Sequence, residues 1–471
     1  MPTYKTPGVY IEEIALFPPS VAQVETAIPA FIGYTEKAKK DNDDLNLKPT
    51  RITSLVEYVQ YFGLPELEQN IVVTLTGDAT VKTVIDVNFS TGNNPSNHIM
   101  YYAMQMFFAN GGGPCYIVSV GTTSVAAGTI DKAKLKLGLD EIKKEDEPTL
   151  IIFPEAILGL DDANHGAIIS DALKQCKELK DRFTIIDVKV DKTKTIAENA
   201  TTFRSNVAGT LDELKYGGSY YPYIKSTFPY AYAETDIDIT DSRTNIVTAL
   251  GTTPTLDSIK AIDNSLSNQI KSKLNSLFIT LPPASSVAGI YASVDRDRGV
   301  WKAPANVPVS NVVGPDVKVT DSDQDGLNVD VTAGKSINVI RAFTGKGTLV
   351  WGARTLAGND NEWRYLSVRR FFNMVEESIK KATYQFVFEN NDANTWVKVR
   401  AMIENYLTVL WRQGALAGAK PEQAFYVKVG LNVTMTAQDI LEGYMNVEIG
   451  MAVVRPAEFI VLKFSHKMQE S

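Results

Sequence analysis

Cysteine and histidine are scarce in this sequence of 471 residues. The chain has two cysteines, Cys115 and Cys176, and three histidines, His98, His165 and His466. Small secreted folds are cross-linked by several disulfide bonds, and structural zinc sites are built from about four closely spaced Cys or His ligands. The scarcity therefore excludes a disulfide framework and a Cys/His zinc site, and we expect the chain to fold in a reducing compartment.

An excess of positive charge and long apolar runs are also missing. The chain has 47 Lys and Arg against 55 Asp and Glu, a net charge of −8, whereas dedicated nucleic-acid binders carry a basic excess. The longest apolar runs, such as 459–462, fall far short of the ~20 residues that a membrane helix needs. The N-terminus has no basic stretch followed by an apolar run, the pattern of a signal peptide. We expect no nucleic-acid partner, no membrane insertion and synthesis in the cytoplasm.

What remains is an ordinary globular composition, with 44% apolar and 22% charged residues. Strand-like runs at 150–153 and 183–188 flank a helical pattern over 163–179, which predicts a βαβ unit on a largely parallel sheet. The stretch 226–276 is rich in Thr, Ser, Asp and Asn and predicts a peripheral insertion outside the main core. The fold class is therefore a multidomain mixture of α+β and α/β.

The C-terminal part of the chain, 362–471, gives the clearest secondary-structure patterns. Apolar spacing predicts helices over 363–383 and from Trp396 to Gly414. Period-two alternation predicts strands over 425–433 and 445–453, with a short helix capped by Thr436 between them. A last strand, 458–464, is predicted almost at the chain end.

The N-terminal segment, 1–20, predicts an extended arm. Four prolines, Pro2, Pro7, Pro18 and Pro19, bracket the β-prone stretch 9–14. Proline lacks the N–H that a central strand needs, so such a segment belongs at a sheet edge.

Three short motifs suggest enzyme chemistry and are better explained without it. Gly334-Lys335-Ser336 resembles the end of a phosphate-binding loop, but Val329 occupies the position of its required glycine. The stretch 321–326 resembles half of a calcium loop, but Thr332 stands where the bidentate Glu is expected. The stretch 295–298 alternates Asp and Arg, which favours an ion-pair cluster over a catalytic carboxylate pair. We predict no catalytic residue, no cofactor and no metal.

A longer series of motifs spans both ends of the chain and most of its middle: TPGVYIEEI (6–14), AIPAFIGYTE (27–36), FFANGGGPCYIVSVG (107–121), LPPASSVAGIYASVDRDRGVWKAPAN (281–306), INVIRAF (337–343), VWGARTL (350–356) and WRYLSVRRFFNMVEESI (363–379). This series resembles the contractile tail sheath proteins of phages and of phage-tail-like injection systems. The polar stretch 226–276 and a β-rich addition near 71–89 depart from the pattern and fit variable outer decoration.

The resemblance implies a structural subunit that polymerises as stacked hexameric rings around an inner tube. Contraction of the sheath would drive that tube through a target cell envelope, without any enzymatic activity. The implied partners are other copies of the chain, the inner tube protein, paralogous sheath proteins, and baseplate and terminator proteins. Assembly would occur in the bacterial cytoplasm, as part of a virion tail or of a tail-like particle that can be released.

The resemblance also implies a discontinuous domain organisation. The expected parts are an N-terminal arm (1–28), the N-terminal part of the core (29–120), a middle or outer domain (121–344), a conserved C-terminal domain (345–455) and a C-terminal arm strand (456–471).

Two sets of residues are candidates for contacts in such an assembly. The terminal arms would be completed by strand addition between subunits, because unpaired backbone groups need partners; their candidate residues are Val9, Tyr10, Ile11, Glu12, Ile14, Phe459, Ile460, Val461, Leu462 and Phe464. The segment 362–381 carries five cations against three glutamates, a net +2 in an acidic chain, which suggests a face for an acidic inner tube. The cations are Arg364, Arg369, Arg370, Lys380 and Lys381; a solvated charged helix side is the alternative.

Two other functional classes stay open at this point. The chain could be a static self-assembling tube or shell protein, or an α/β enzyme that uses residues 115–225 as a ligand-binding sheet. A rise in melting temperature on adding nucleotides and divalent ions would identify the enzyme, and negative-stain images of the purified protein would distinguish a static assembly from a sheath.

Overall fold

The computed structural model describes residues 21–78, 83–90, 95–126, 129–243 and 254–462. The predicted mixture of helices and strands is confirmed in this part of the chain. Its strands are β1 (Pro29–Thr35), β2 (Lys39–Lys40), β3 (Asp43–Asp44), β4 (Thr50–Ile52), β5 (Ile71–Thr76), β6 (Val84–Phe89), β7 (Cys115–Thr122), β8 (Leu150–Ile152), β9 (Phe183–Asp187), β10 (Gly217–Tyr221), β11 (Ile224–Pro229), β12 (Asp238–Asp241), β13 (Phe278–Leu281), β14 (Val307–Pro308), β15 (Val312–Pro315), β16 (Ile337–Phe343), β17 (Gly347–Trp351), β18 (Phe425–Lys428) and β19 (Glu448–Met451).

Several helices begin at residues whose side chains satisfy free backbone N–H groups. Ser54, Asp161 and Asp392 each accept a hydrogen bond from a backbone N–H in the first turn of the helix that follows, which is the favoured role of Ser and Asp at these positions. The α-helices are α1 (Leu55–Phe62), α2 (Met100–Ala109), α3 (Thr123–Ala126), α4 (Lys132–Ile142), α5 (Ala156–Gly159), α6 (Asp162–Leu179), α7 (Ile196–Asn206), α8 (Leu211–Leu214), α9 (Leu256–Ile262), α10 (Asn264–Leu274), α11 (Ala284–Arg298), α12 (Asp321–Asn328), α13 (Leu366–Thr383), α14 (Ala393–Arg412), α15 (Pro421–Ala424) and α16 (Ala437–Leu441).

The main sheet has nine strands in the order β14-β17-β16-β10-β9-β8-β1-β7-β4 within the described residues. The six strands from β16 to β7 are mutually parallel, and β17, β14 and β4 add antiparallel edges. The predicted βαβ unit is confirmed, because β8 and β9 are parallel neighbours joined through α6. Parallel strands need such crossovers, which cover the sheet with helices.

The two faces of this sheet carry two separate hydrophobic clusters. Phe31 and Ile117 belong to one cluster, whereas their chain neighbours Ile32 and Val118 belong to the other. Successive side chains of a strand point to opposite faces, so buried strands with apolar residues at every position fill both clusters. The near-continuous apolar runs in β1 and β7 follow from this double burial.

The two stretches that depart from the sheath pattern meet in one small sheet. Strand β12 from the polar stretch 226–276 pairs with β5, and β5 pairs with β6, so that 71–76, 84–89 and 238–241 form a single three-stranded sheet. The described part of the polar stretch lies outside the nine-stranded sheet. The prediction that this stretch lies outside the main core is wrong, because its apolar residues Ile237, Leu256 and Ile270 belong to one of the two main hydrophobic clusters.

The chain forms two compact units. One comprises 25–373 and 455–471, and the other comprises 1–24 and 374–454. The structure divides the chain differently from the expected boundaries at 120/121 and 344/345. Strand β7 crosses the first boundary inside the main sheet, and the second separates β16 from its antiparallel partner β17. Pairing between strands keeps these segments in one unit, and no local sequence pattern shows which strands pair.

The unit that contains 374–454 is built on α14 and a two-stranded sheet. Helix α14 buries one stripe, Val399, Ile403, Tyr406, Leu407 and Leu410, as its spacing predicted. The predicted short helix is confirmed as α16, where Thr436 and Asp439 form a reciprocal capping box. Strands β18 and β19 pair antiparallel with Val427 opposite Ile449, and both are shorter than the alternation predicted.

Candidate assembly sites

The candidate C-terminal contact residues lie in solvent. Phe459, Ile460, Val461 and Leu462 are 71–79% exposed, and none of the four belongs to a strand. The predicted strand 458–464 is thus absent as far as residue 462, and Phe464 lies outside the described residues. Four consecutive exposed apolar side chains carry an unfavourable hydration free energy, since burying such a side chain contributes ~1.5–3 kcal/mol.

The candidate N-terminal contact residues Val9, Tyr10, Ile11, Glu12 and Ile14 lie outside the described residues. The described part of that segment starts at residue 21 and has no regular secondary structure before β1, apart from a bend. The N–H of Val24 donates to the Ser378 hydroxyl of α13 at 3.0 Å. This contact lies within the 374–454 unit, to which the segment 1–24 also belongs.

The sheet of β18 and β19 has an open edge on each strand. Within the described residues each strand pairs only with the other. Isolated two-stranded sheets are marginally stable and their free edges offer unpaired N–H and C=O groups. This sheet can therefore accept a further strand on either side.

Glu458 is held firmly at the start of the exposed C-terminal segment. Arg354 binds its carboxylate with two nitrogens, Nε to Oε1 at 2.9 Å and Nη2 to Oε2 at 2.7 Å. Asn328 donates to Oε1 at 2.7 Å and the Tyr365 hydroxyl donates to Oε2 at 3.1 Å. Burial alone would raise the pKa of Glu458, but these donors outweigh it and hold that pKa below its ordinary value. We call these four residues the Glu458 clamp.

The sequence analysis missed the Glu458 clamp. Arg354 and Glu458 are 104 positions apart, so no local pattern joins them. A weak signal existed: Glu458 is the only charged residue in the otherwise apolar run 456–462. A lone carboxylate in such a run needs a partner when the run approaches the protein body.

Two of the five candidate inner-tube contacts lie inside the protein. Arg369 and Arg370 are 2% and 3% exposed. The Arg369 guanidinium stacks on Trp363 at 4.4 Å and on Tyr216 at 4.9 Å. Arg370 binds both carboxylate oxygens of Asp295. Both were expected on a surface, and the expectation fails because they satisfy buried partners that the sequence does not reveal.

The other three candidate cations remain near the surface. Arg364 donates to Asn361 at 2.7 Å. Lys380 and Lys381 lie 3.0 and 3.6 Å from the carboxylate of Glu377. Glu377 is buried as well, so when the buried charged residues are left out, three cations stand against two glutamates and the surface excess of the segment 362–381 falls from +2 to +1.

The residues of the three motifs that suggested enzyme chemistry have structural roles within the fold. The Lys335 ammonium donates to the backbone carbonyls of Arg204 and Val207, both at 2.6 Å. The stretch 321–326 lies in α12, a helix that begins after Thr320. Arg296 pairs with Asp297 at 3.1 Å, in agreement with the predicted ion-pair cluster.

A search of the described ranges for metal-binding groups and for membrane-spanning helices found neither. No cluster of three or more His, Cys, Asp or Glu in those ranges is arranged to hold a metal ion. None of the helices there combines the length and apolar character needed to cross a bilayer.

Comparison with known proteins gives consistent matches along the chain. The phage tail sheath protein central domain matches residues 128–356, and the phage tail sheath C-terminal domain matches residues 358–467. The tail sheath protein of Vibrio phage KVP40 is 27% identical over 128 residues, 27% of this chain. That match covers 19% of the KVP40 protein, so the chain spans about a fifth of the length of this curated relative.

Two solved structures match over nearly the whole chain. The sheath complex of an extracellular contractile injection system, PVC, in its contracted state is 30% identical, with 99% of each chain covered and a TM-score of 0.65. The contracted helical sheath of the anti-feeding prophage is 32% identical, covers 99% of this chain and all of that chain, and has a TM-score of 0.63.

The fold, the exposed terminal segment and these matches define a class, the structural proteins of contractile tails and tail-like injection systems. Within that class, the chain belongs to the tail sheath protein family. The resemblance drawn from the sequence motifs is thereby confirmed.

Proposed function

We propose that this chain is the repeating subunit of a contractile sheath. Copies assemble as stacked hexameric rings around an inner tube, and shortening of the stack drives the tube through a target envelope. The observation that supports this most strongly is the likeness over 99% of the chain to two sheaths in their contracted state. The role is structural, and no catalytic step enters it.

Strand addition between copies explains how the rings and layers are joined. The exposed residues Phe459, Ile460, Val461 and Leu462 need partners, and the edges of β18 and β19 offer them. One such junction of roughly 4 to 6 backbone hydrogen bonds, at ~0.5–1.5 kcal/mol each, contributes only several kcal/mol. Repetition through the lattice makes the assembly strong, while extended connections allow the globular bodies to repack during shortening.

Contact with an inner tube is proposed for Arg364, Lys380 and Lys381. Lys380 and Lys381 lie in the last turn of α13 and are each partly exposed. Replacing both lysines by Glu should leave empty sheaths but reduce co-sedimentation with the tube protein. The matched control is Lys398→Glu on α14, also exposed. If the natural chain, the double-lysine variant and Lys398→Glu co-sediment equally with the tube protein, Lys380 and Lys381 do not contribute to the contact.

Negative-stain electron microscopy of the purified protein tests the proposed function. We expect hollow tubes with regularly spaced rings, in the shortened form, because no inner tube is present to hold the long form. Deleting Met1–Phe17 should leave a soluble chain that no longer forms tubes. Dispersed monomers of the full chain, or closed shells of one fixed size, would contradict the proposal and favour a static assembly or a ligand-binding protein.

A further inference from the structure

The exposed C-terminal segment begins abruptly at Glu458. The Glu458 side chain is 21% exposed, whereas the next residue, Phe459, is 71% exposed. The Val454 N–H still donates to the Ala415 carbonyl at 3.2 Å. Residues 455–462 have no regular secondary structure, and no backbone pairing within the described residues fixes the course of the chain there. Whatever sets the direction of this segment must act through side chains, and the Glu458 clamp is the group of side-chain contacts at that point.

Hydrogen bonds that do not involve Glu458 hold the backbone of Arg354 in place. The side chain of Asn338, in β16, accepts from the backbone N–H of Arg354 at 2.7 Å and donates to the Arg354 carbonyl at 2.8 Å. Arg354 is 4% exposed and Asn338 is 1% exposed. These bonds hold the Arg354 backbone, and the guanidinium is held in addition by Nη1, which donates to the carbonyls of Asn328 at 3.4 Å and Gly358 at 3.5 Å. Because an arginine fork matches a carboxylate at two points, it also fixes the orientation of the group that it binds.

Glu458 meets donors from three separate parts of the chain. Asn328 is the last residue of α12, Arg354 follows β17, and Tyr365 directly precedes α13. All four members of the clamp belong to the unit that contains 25–373. Since three directions of approach are occupied, the carboxylate cannot move far without breaking a charge-assisted bond.

We propose that Glu458 is a positioning residue that fixes the starting point and direction of the segment 459–462. This inference rests on the proposed function, because a fixed segment matters only if it docks on a neighbouring copy. Ordering a free residue costs backbone conformational entropy. A segment held in advance at its base loses less of this free energy on docking, which strengthens association without any new contact.

Measurement on the soluble subunit tests the positioning directly. Spin labels at Leu137→Cys, an exposed site on α4, and at Ile460→Cys give a distance distribution by double electron–electron resonance. The two native cysteines are buried. We expect the distribution to broaden at least twofold when Glu458→Gln is added. Equal widths with and without that substitution would overturn the proposal, whether or not the protein assembles.

Assembly provides the second readout. Glu458→Gln keeps the side-chain shape but removes the charge, and we expect the lowest concentration that supports tubes to rise at least tenfold. Tyr365→Phe removes one hydroxyl and should raise it less. The control is Asp321→Asn, which removes a carboxylate bound to Arg341 at 2.7 Å on an exposed surface, and it should assemble like the natural chain.

The outcomes separate the two proposals. Normal tubes from Glu458→Gln would overturn the positioning role and leave the sheath function intact. Absence of tubes from the natural chain would overturn the sheath function, and the distance measurement would then decide the positioning role alone. A melting curve of Glu458→Gln matching that of Asp321→Asn shows that lost assembly reflects positioning and not unfolding; a much lower melting temperature assigns the clamp to stability and overturns the proposal.

Discussion

At the scale of single residues, the interior of the larger unit contains ion pairs that define its packing. The Arg370 guanidinium, buried beside Asp295, also donates to the Thr26 carbonyl at 3.0 Å and lies 4.4 Å from the Tyr291 ring. Thr26 in turn donates to Asp295 at 2.6 Å. Removing one member of such a group leaves the others buried without partners, which costs more than the pair itself contributes.

We therefore expect Arg370→Met to lower the free energy of unfolding by ~3–5 kcal/mol. The matched control is Arg296→Met, because Arg296 pairs with Asp297 where both side chains are more than half exposed. Exposed pairs contribute ~0–1 kcal/mol. Denaturant unfolding followed by circular dichroism measures both changes. Similar small losses in the two variants would contradict the structural role assigned to Arg370.

A buried carboxylate makes stability depend on pH. Asp187 ends β9 and accepts from the N–H of Ala284 at 2.8 Å, the first residue of α11. Burial raises the pKa of Asp187 to about 8, although the N–H of Ala284 opposes this rise. The folded protein therefore binds a proton at Asp187 between pH 4 and 8 that the unfolded chain releases.

Because the pKa of Asp187 is raised in the folded protein, proton binding at Asp187 stabilises the fold. This stabilisation is fully present below the pKa that Asp187 has in the unfolded chain, and it is lost as the pH rises through about 8. Replacing Asp187 with Asn removes the titration while keeping an acceptor for Ala284. We expect the natural chain to lose stability relative to Asp187→Asn between pH 5 and 8, by at most ~1.4 kcal/mol per pH unit. If the difference in unfolding free energy between the natural chain and Asp187→Asn is the same at every pH, Asp187 does not titrate in this range.

Residue roles were only partly predictable from the sequence. Thr436 and Asp439 are three positions apart, and their capping box is recognisable because both partners belong to one helix turn. The partner of Arg370 lies 75 positions away, and that of Glu458 lies 104 positions away. Contacts at such separations depend on the whole fold, which is why Arg369 and Arg370 were expected on a surface and the Glu458 clamp was missed.

At the scale of elements, α14 shows how an apolar stripe supports the smaller unit. Leu407 is fully buried, whereas Val409, two positions along the same helix, is 50% exposed. Leu407→Ala should lower the free energy of opening of this unit by ~2–5 kcal/mol, because it leaves a cavity. Val409→Ala should change it by less than ~0.5 kcal/mol. Hydrogen exchange of residues 393–412 measures both, and equal exchange in the two variants would contradict the assigned stripe.

Several of the longer elements of the described part were predictable, and so was the parallel βαβ unit of β8, α6 and β9, but the other strand pairings were not. Apolar spacing predicted α14 and its end at Gly414, a residue with a positive φ angle of 83°. Strands β18 and β19 were predicted too long, since alternation continues past the point where pairing stops. The union of β12 with β5 could not be predicted, because parallel pairing between strands so far apart in the chain leaves no local pattern.

At the scale of the whole molecule, the described residues form two compact units and include one exposed apolar segment, 459–462. The motifs were sufficient to identify the family, since an ordered series of motifs identifies a protein better than any one of them. They did not predict the boundaries of the units, because β7, β16 and β17 join segments that the family pattern treats as separate domains. The proposed sheath function rests on the likeness to contracted sheaths and on the exposure of the apolar residues 459–462.

A cryo-EM reconstruction of tubes formed by the purified chain tests the central claim most directly, because it traces each copy from end to end. Our account requires density for residues 459–462 lying as a strand along β18 or β19 of an adjoining copy. Density that folds those residues back onto their own subunit, with the edges of β18 and β19 still open between copies, would contradict it.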